Sequence, residues 1–167
     1  MDYHLVSEHP APLFMGELPR SYDEVPAPVI LNLCGVHPPG QPFGRVVHTM
    51  ALLDVLDEDK APTRSRLEQF LAAAHLYTSS TPTYWHCHAG LNRSGLAVAA
   101  YLHLHRGMRI SAAIEHMRAI RTPLVLCNAH FERLLRTWYG DEDEQDFTPI
   151  DIDAYLRERT GRRGGWR

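Results

Sequence analysis

The amino-acid sequence predicts an α/β fold in which helices flank a central, mostly parallel sheet of about four to five strands. Two stretches indicate this fold. Residues 28–33 form a compact apolar run, which is typical of a parallel strand buried on both faces. Residues 83–85 combine β-branched and aromatic side chains, and after a turn the almost wholly apolar segment 96–104 is typical of a core helix. With 167 residues, of which 44% are hydrophobic, the chain is long enough for one domain with a substantial core.

The other elements follow in order along the chain. Residues 1–20 alternate short apolar pieces with prolines and a glycine, which predicts edge strands broken by turns. The run 45–53 predicts a further strand, and an acidic segment follows it. Helices are predicted over about 63–77, 94–105, 111–121, from 128 onward and over 149–159.

Composition narrows the class of protein. The formal charge of -3 gives no indication of the excess positive charge that is typical of nucleic-acid-binding proteins. Three widely spaced cysteines are too few for a disulfide scaffold, so a cytoplasmic, reducing setting is expected. We expect neither secretion nor a membrane span, because no signal peptide or long apolar run is apparent. The 11 histidines follow no zinc-binding pattern, so no metal or other cofactor is predicted.

Residues 84–95, with the sequence YWHCHAGLNRSG, carry the chemistry. The turn in this stretch leads into the predicted helix, where the first backbone N–H groups have no intrahelical partner and carry the positive end of the helix dipole. Such groups can converge on an anion. Gly90 allows the tight turn, and Gly95 allows the start of the helix to pack closely. The stretch therefore predicts a phosphate-binding loop.

Cys87 lies at the start of this loop and Arg93 follows after five residues. Converging N–H groups, the helix dipole and a guanidinium all favour a thiolate, so we expect the pKa of Cys87 to be lowered and Cys87 to act as a nucleophile. The planar fork of Arg93 can bind two phosphoryl oxygens. Ser94 can donate its hydroxyl to the sulfur, and His86 is expected to brace the loop through its ring N–H.

A Cys-x5-Arg-Ser-Gly pattern preceded by His resembles the signature of the protein tyrosine phosphatase superfamily, and HCHAGLNRSG in a short chain is similar to its dual-specificity branch. The resemblance covers roughly residues 3–139. It implies a catalytic domain over residues 1–140, followed over 141–167 by an acidic linker, a short helix and a basic tail. It also implies that one continuous stretch of the loop binds phosphate, namely His88, Ala89, Gly90, Leu91, Asn92 and Arg93.

The resemblance further implies a general acid, an aspartate some thirty residues before the cysteine. Asp54 and Asp57 precede Cys87 by 33 and 30 residues. We favour Asp54 because it directly follows the predicted strand. Asp57 stays a serious alternative and Asp59 a weaker one. The other interpretation of the acidic cluster is a solvated segment that leads into a helix, and this interpretation is favoured for Glu58 and Asp59.

Three further residues have two interpretations each. Cys34 ends the strand predicted at 28–33, and the resemblance implies that it could form a disulfide with Cys87 on oxidation, although a small buried residue is the favoured interpretation. The resemblance also implies that Arg121 and Asn128, near the link between two predicted helices, are candidates for positioning substrate or water. The favoured interpretation of Arg121 is that its charge complements a helix dipole, and the favoured interpretation of Asn128 is that it caps a helix.

The resemblance implies hydrolysis of phosphate monoesters through a phosphocysteine intermediate. The expected partners are proteins or peptides phosphorylated on tyrosine and, in a shallower pocket, on serine or threonine. The alternative within enzymes is an RNA 5′-phosphatase or triphosphatase, which the sequence Gly-Leu-Asn-Arg-Ser also resembles. Lipid phosphates rank third, because the loop has no lysine. A catalytically silent phosphate-binding module is the alternative from another class.

Overall fold

The computed structural model describes residues 1–40, 42–54, 60–144 and 146–160. Within these ranges, five strands form one sheet in the order β1-β2-β5-β3-β4. Strand β1 is antiparallel to β2, and the pairs β2–β5, β5–β3 and β3–β4 are parallel. The predicted α/β fold with a mostly parallel sheet is therefore confirmed.

The strands are short, with four or five residues each. The strands are β1 (Tyr3–Ser7), β2 (Leu13–Gly16), β3 (Val29–Asn32), β4 (Val46–Thr49) and β5 (Thr83–His86). The helices are α1 (Arg64–Thr78), α2 (Arg93–Arg106), α3 (Ile110–Ile120), α4 (Ala129–Tyr139) and α5 (Ile152–Thr160). All the predicted helices are present, with ends that differ from the predicted ones by a few residues. In the described ranges no helix is long and apolar enough to cross a membrane.

Helices α1 to α4 contribute to the larger of two apolar cores. This core contains alternate strand residues such as Leu31 and Trp85, which are fully buried, and the wholly apolar segment of α2. The opposite side of the sheet carries a smaller cluster, in which Ile30 and Tyr84 pack with Tyr22 and its neighbours. Because successive strand residues point to opposite faces, strand β3 is buried on both sides, as its apolar run predicts.

The structure corrects three of the predicted details. Strand β2 is not an edge strand, because it pairs with β5 as well as with β1. Strand β4 ends at Thr49 rather than 53, and the chain beyond it continues along β3 through hydrogen bonds from Met50 N–H to Asn32 O and from Leu52 N–H to Leu33 O. The acidic stretch after 140 is not simply solvated. Glu144 is only 4% exposed, and its carboxylate accepts hydrogen bonds from the Ser111 and Asp141 N–H groups.

The direction of the strands decides where function can lie. The four strands β2, β5, β3 and β4 run parallel to one another within the described residues, so their carboxyl ends meet at one edge of the sheet. In open α/β sheets, ligands bind at this edge. The segments that leave it include the loop between β5 and α2 and the segment from Met50 to Asp54.

Candidate active site

The loop between β5 and α2 has its carbonyl groups turned outward. The carbonyl oxygens of residues 88–91 each accept a hydrogen bond from outside the loop. The bonds, donor first, are Leu18 N to His88 O (3.0 Å), Arg121 Nη2 to Ala89 O (3.2 Å), Arg121 Nε to Gly90 O (2.7 Å) and Leu126 N to Leu91 O (3.2 Å). Because the N–H of a planar trans peptide points away from its C=O, the N–H groups of residues 89–92 turn inward. The loop therefore forms a cradle for an anion.

Two residues of this region adopt left-handed backbone conformations. Gly90 has φ of 66°, and a Cβ atom at this position would collide with the backbone of Gly16, at the end of β2. Leu126, with φ of 59°, is 1% exposed and donates its N–H to the loop. A left-handed leucine is unfavourable on its own and persists only where the surrounding structure holds it. Tertiary contacts thus determine the shape of the loop from both sides.

Cys87 lies at the base of the cradle, 1% exposed, with its Sγ 3.4 Å from Ser94 Oγ. Burial raises the pKa of the thiol, but the Ser94 hydroxyl, the N–H groups of Ser94 and Leu91 and the charge of Arg93 outweigh it, so the pKa lies below its ordinary value. The lowered pKa agrees with the expectation for a nucleophilic thiolate. The geometry also brings the Ser94 hydroxyl to the sulfur, as its position after Arg93 predicts.

Arg93 begins α2, and its side chain is 16% exposed. Its Nη1 donates to Leu52 O at 3.4 Å, and its Nε lies 3.8 Å from Asp54 Oδ2. The guanidinium is therefore held between the phosphate loop and the segment after β4. In this position its charge contributes to the lowered pKa of the Cys87 thiol.

Asp54 extends over the phosphate loop from the segment after β4. Its Oδ1 accepts a hydrogen bond from Asn128 Nδ2 at 3.0 Å, and its Oδ2 accepts one from Asn92 Nδ2 at 3.3 Å. The side chain is 33% exposed. The structure thus brings Asp54 to the loop that contains Cys87, even though β4 ends at Thr49 rather than directly before the aspartate. Asp57 and Asp59 lie outside the described residues.

His86 supports the loop from below. Its Nδ1 lies 3.4 Å from Cys87 O, and because a carbonyl can only accept, Nδ1 carries the proton. The ring is fully buried and stacks on Tyr84, with centroids 5.7 Å apart. Burial lowers the pKa of His86 to about 4, so the ring is neutral at physiological pH. This arrangement is the bracing role predicted for His86.

Three residues have roles that the sequence pattern did not reveal. Asn32, fully buried at the end of β3, accepts the N–H groups of Cys34 and Gly35 on its Oδ1, which shapes the chain beside the site. Arg121 braces the loop instead of merely complementing a helix dipole. Asn128 does cap α4, by accepting a hydrogen bond from the N–H of residue 130 at 3.1 Å, but it also binds Asp54. The contacts of Arg121 with the loop and of Asn128 with Asp54 join residues far apart in the chain, so no local signal marks them.

The remaining candidates lie near the loop. The half-buried thiol of Cys34 faces Asn32 Oδ1 at 3.4 Å, and a disulfide with Cys87 stays a prediction. His88 is exposed, and its backbone carbonyl takes part in the loop's bracing. Among the described residues no group of three or more His, Cys, Asp or Glu side chains could hold a metal ion.

A strand, a cradle of inward N–H groups, a cysteine and an arginine after five residues together form a phosphate-binding loop with a buried thiol at its base. Residues 45–141 match the family model of the dual specificity phosphatase catalytic domain. The match covers more than half of the chain, and the chain belongs to this family. Phosphate ester hydrolysis is the chemistry typical of this family.

The chain is also similar to particular proteins. It is 32% identical over 124 residues to phosphatidylglycerophosphate phosphatase PTPMT2 of Arabidopsis thaliana, and 27% identical over 137 residues to PTPMT1 of the same plant. These matches cover 68% and 76% of this chain but only 54% and 40% of the relatives' own length.

Solved structures show the same fold. Human DUSP28 superposes with a TM-score of 0.68 at 20% identity, covering 83% of this chain and 93% of its own. The crystal structure of PTPMT1 superposes with a TM-score of 0.59 at 21% identity, covering 81% and 98%. At these identities the likeness is one of fold.

Proposed function

We propose that this protein hydrolyses phosphate monoesters through a covalent phosphocysteine on Cys87. The observation that carries the proposal is the cradle itself. Outward carbonyls at residues 88–91 aim backbone N–H groups at the space above a buried thiol whose pKa is lowered. Preorganised donors around developing negative charge are usually the largest single contribution to catalysis of this kind.

The first step transfers the phosphoryl group to sulfur. The Cys87 thiolate attacks phosphorus, the S–P bond forms and the P–O bond to the leaving group breaks. Backbone N–H groups and the Arg93 fork stabilise the equatorial oxygens. The Asp54 carboxylic acid donates its proton to the departing oxygen, which leaves as an alcohol or a phenol.

The second step releases phosphate. The Asp54 carboxylate accepts a proton from water, whose oxygen attacks phosphorus as the S–P bond breaks. The sulfur leaves as a thiolate, and a hydrogen bond from Ser94 Oγ, 3.4 Å away, stabilises its charge. Inorganic phosphate is the product, Asp54 regains the acid form and no external reductant, oxidant or cofactor takes part.

Two substrate classes have support. Phosphotyrosine, with phosphoserine or phosphothreonine, is the class that the dual-specificity signature HCHAGLNRSG favours. Phosphatidylglycerophosphate is the second class, because both Arabidopsis relatives carry the name of a phosphatase for this lipid. Phosphotyrosine differs chemically from the other substrates, since its phenol is a better leaving group than the alcohols of serine, threonine or glycerol.

The basic test compares the wild type with Cys87→Ser and Asp54→Ala on p-nitrophenyl phosphate. We expect Cys87→Ser to lose at least about 10⁴-fold in kcat, as nucleophile deletions do, and to retain its affinity for inorganic phosphate because the cradle survives. A wild type no faster than Cys87→Ser would identify a silent phosphate-binding module and refute the proposal.

The substrate test compares kcat/KM on four phosphates at equal enzyme concentration. They are a phosphotyrosine peptide, a phosphothreonine peptide, phosphatidylglycerophosphate in detergent micelles and 5′-triphosphorylated RNA. The protein-phosphatase assignment predicts the highest value on a phosphopeptide, and the lipid assignment predicts it on phosphatidylglycerophosphate. Highest activity on RNA would overturn both assignments in favour of an RNA 5′-triphosphatase. Cys87→Ser serves as the blank for each substrate.

A further inference from the structure

Two asparagines at the starts of two different helices converge on the Asp54 carboxyl group. Asn128 Nδ2 lies 3.0 Å from Asp54 Oδ1, and Asn92 Nδ2 lies 3.3 Å from Asp54 Oδ2. The asparagines also contact each other, since Asn92 Oδ1 accepts the Asn128 backbone N–H at 3.0 Å. One amide therefore binds each carboxyl oxygen, and a hydrogen bond joins the two asparagines. We name Asn92 and Asn128 the amide clamp.

Asn92 is unusual for a residue in its position. It is the N-cap of α2, where asparagine is preferred because its side chain can accept an N–H of the first turn. Among the described residues, however, its side chain makes no capping hydrogen bond. Its oxygen is directed to Asn128 and its nitrogen to Asp54. The same oxygen also accepts the Cys127 thiol at 3.4 Å. An N-cap asparagine that forgoes the cap for these three tertiary contacts indicates that the contacts have a role of their own.

Asn128 divides its side chain between two tasks. The oxygen accepts His130 N–H and caps α4, and the nitrogen donates to Asp54. The residue is 8% exposed, so its amide is well fixed. Capping alone requires only the oxygen, and serine would cap about as well. The nitrogen accounts for why an amide is present.

We propose that the amide clamp positions Asp54 as the general acid and base of the reaction, and this inference rests on the proposed function. Asp54 is partly exposed and belongs to no helix or strand. Without support its side chain would sample several rotamers. A carboxyl group has about four lone-pair sites. The two amides occupy one site on each oxygen, and Arg93 Nε lies 3.8 Å from Oδ2. A remaining site can carry the proton to the leaving group.

The consequence depends on the leaving group. p-Nitrophenolate is a stable anion and needs little help from an acid, whereas phenolate is a stronger base and needs more. A variant that misplaces Asp54 should therefore lose more activity on phenyl phosphate than on p-nitrophenyl phosphate. A variant that damages the phosphate loop or the fold should lose activity on both substrates equally.

Asn128→Ser is the test variant, because a serine keeps the cap of α4 but is too short to reach Asp54. We expect kcat/KM, which reports the steps up to cleavage of the P–O bond and not the second step that both substrates share, to fall by about tenfold on phenyl phosphate and by less than about threefold on p-nitrophenyl phosphate. Asn128→Asp provides a second variant that keeps the capping oxygen and replaces the donor by an acceptor. It should show the same pattern or a larger loss on phenyl phosphate.

A double-mutant cycle then asks whether the asparagine acts through the aspartate. In the Asp54→Ala background, Asn128→Ser should have no further effect on phenyl phosphate hydrolysis, because the group it positions is gone. Equal losses of kcat/KM on the two aryl phosphates, or losses of kcat/KM that simply multiply in the double mutant, would overturn the amide clamp while leaving the phosphocysteine mechanism intact. A wild type without activity on either substrate would instead overturn the proposed function, and the clamp with it.

Discussion

The phosphate loop and the segment that carries Asp54 lie side by side but are held in different ways. The loop is fixed by backbone geometry, with the carbonyls of residues 88–91 hydrogen-bonded outward and Gly90 pressed against the backbone of Gly16. The Asp54 carboxyl group is held by side-chain amides from Asn92 and Asn128 and is one-third exposed.

Because of this difference, we expect phosphate binding and catalytic turnover to depend on different residues. A cradle of backbone N–H groups needs no rearrangement to receive phosphate, so its contribution is present before the substrate arrives. The acid depends on a few side-chain hydrogen bonds, which single substitutions can remove without altering the cradle. Variants of the loop should therefore weaken anion binding, and variants around Asp54 should slow turnover while anion binding persists.

Asp54→Ala is expected to have the largest effect. Loss of the general acid should lower kcat on phenyl phosphate by about 10²–10³-fold, the range typical of positioned proton donors. The affinity for inorganic phosphate, measured by calorimetry, should stay within about threefold of the wild type. A loss of phosphate affinity as large as the loss of kcat would contradict the separation of binding from turnover.

The pH dependence of stability tests the support beneath the loop. The pKa of His86 is about 4 in the folded state, well below its usual value of about 6.5 in an unfolded chain. Above pH 6.5 both states are neutral at this ring, whereas between pH 6.5 and 4 only the unfolded state takes up the proton. Stability should therefore fall as the pH falls through this window, by up to about 3 kcal/mol.

Urea unfolding at pH 7, 6 and 5 measures this effect, with His86→Gln as the comparison. The wild type should lose more stability over this range than the variant does. Parallel pH dependences in the two proteins would show that His86 is not buried as a neutral ring.

The Gly90→Ala substitution tests the backbone conformation of the phosphate loop. A left-handed alanine costs about 1–2 kcal/mol, and the added Cβ atom would also collide with the backbone of Gly16. We expect a lower melting temperature and a weaker affinity for inorganic phosphate. Gly107→Ala is the matched control, because Gly107 has a similar φ of 69° and no atom lies within 4 Å of the position that its Cβ would take. It should lose stability without losing phosphate affinity.

Arg121→Met should have the smallest effect. The substitution removes the hydrogen bonds that Ala89 O and Gly90 O accept from the guanidinium. A hydrogen bond from a charged donor contributes about 1.5–3 kcal/mol, and water can replace part of this contribution. We expect kcat/KM to fall by about tenfold through weaker phosphate binding. Arg133→Met, on the exposed side of α4, removes the same charge away from the loop and should change little. Equal effects would mean that only net charge matters.

The two regions also differ in how far the sequence predicts them. The phosphate loop is predictable because its strand, turn, glycine and helix are consecutive, and local geometry brings Cys87, Arg93 and Ser94 together. The strand order is not predictable from the sequence, since nothing in residues 1–20 indicates that β2 pairs with β5. The clamp on Asp54 and the brace from Arg121 were missed because helix ends explain Asn128 and Arg121 equally well in sequence. Tertiary contacts alone reveal their second role.

The titration of Cys87 tests the central claim most directly. Alkylation by iodoacetamide, followed peptide by peptide with mass spectrometry between pH 5 and 10, measures the thiolate fraction of each cysteine. Cys127 is an internal reference, because burial raises the pKa of its thiol. The phosphocysteine mechanism predicts that Cys87 reacts with a midpoint clearly below the ordinary thiol value of about 8.5, and that Cys127 reacts only at higher pH. A midpoint for Cys87 at or above that value would contradict a thiolate held in the cradle.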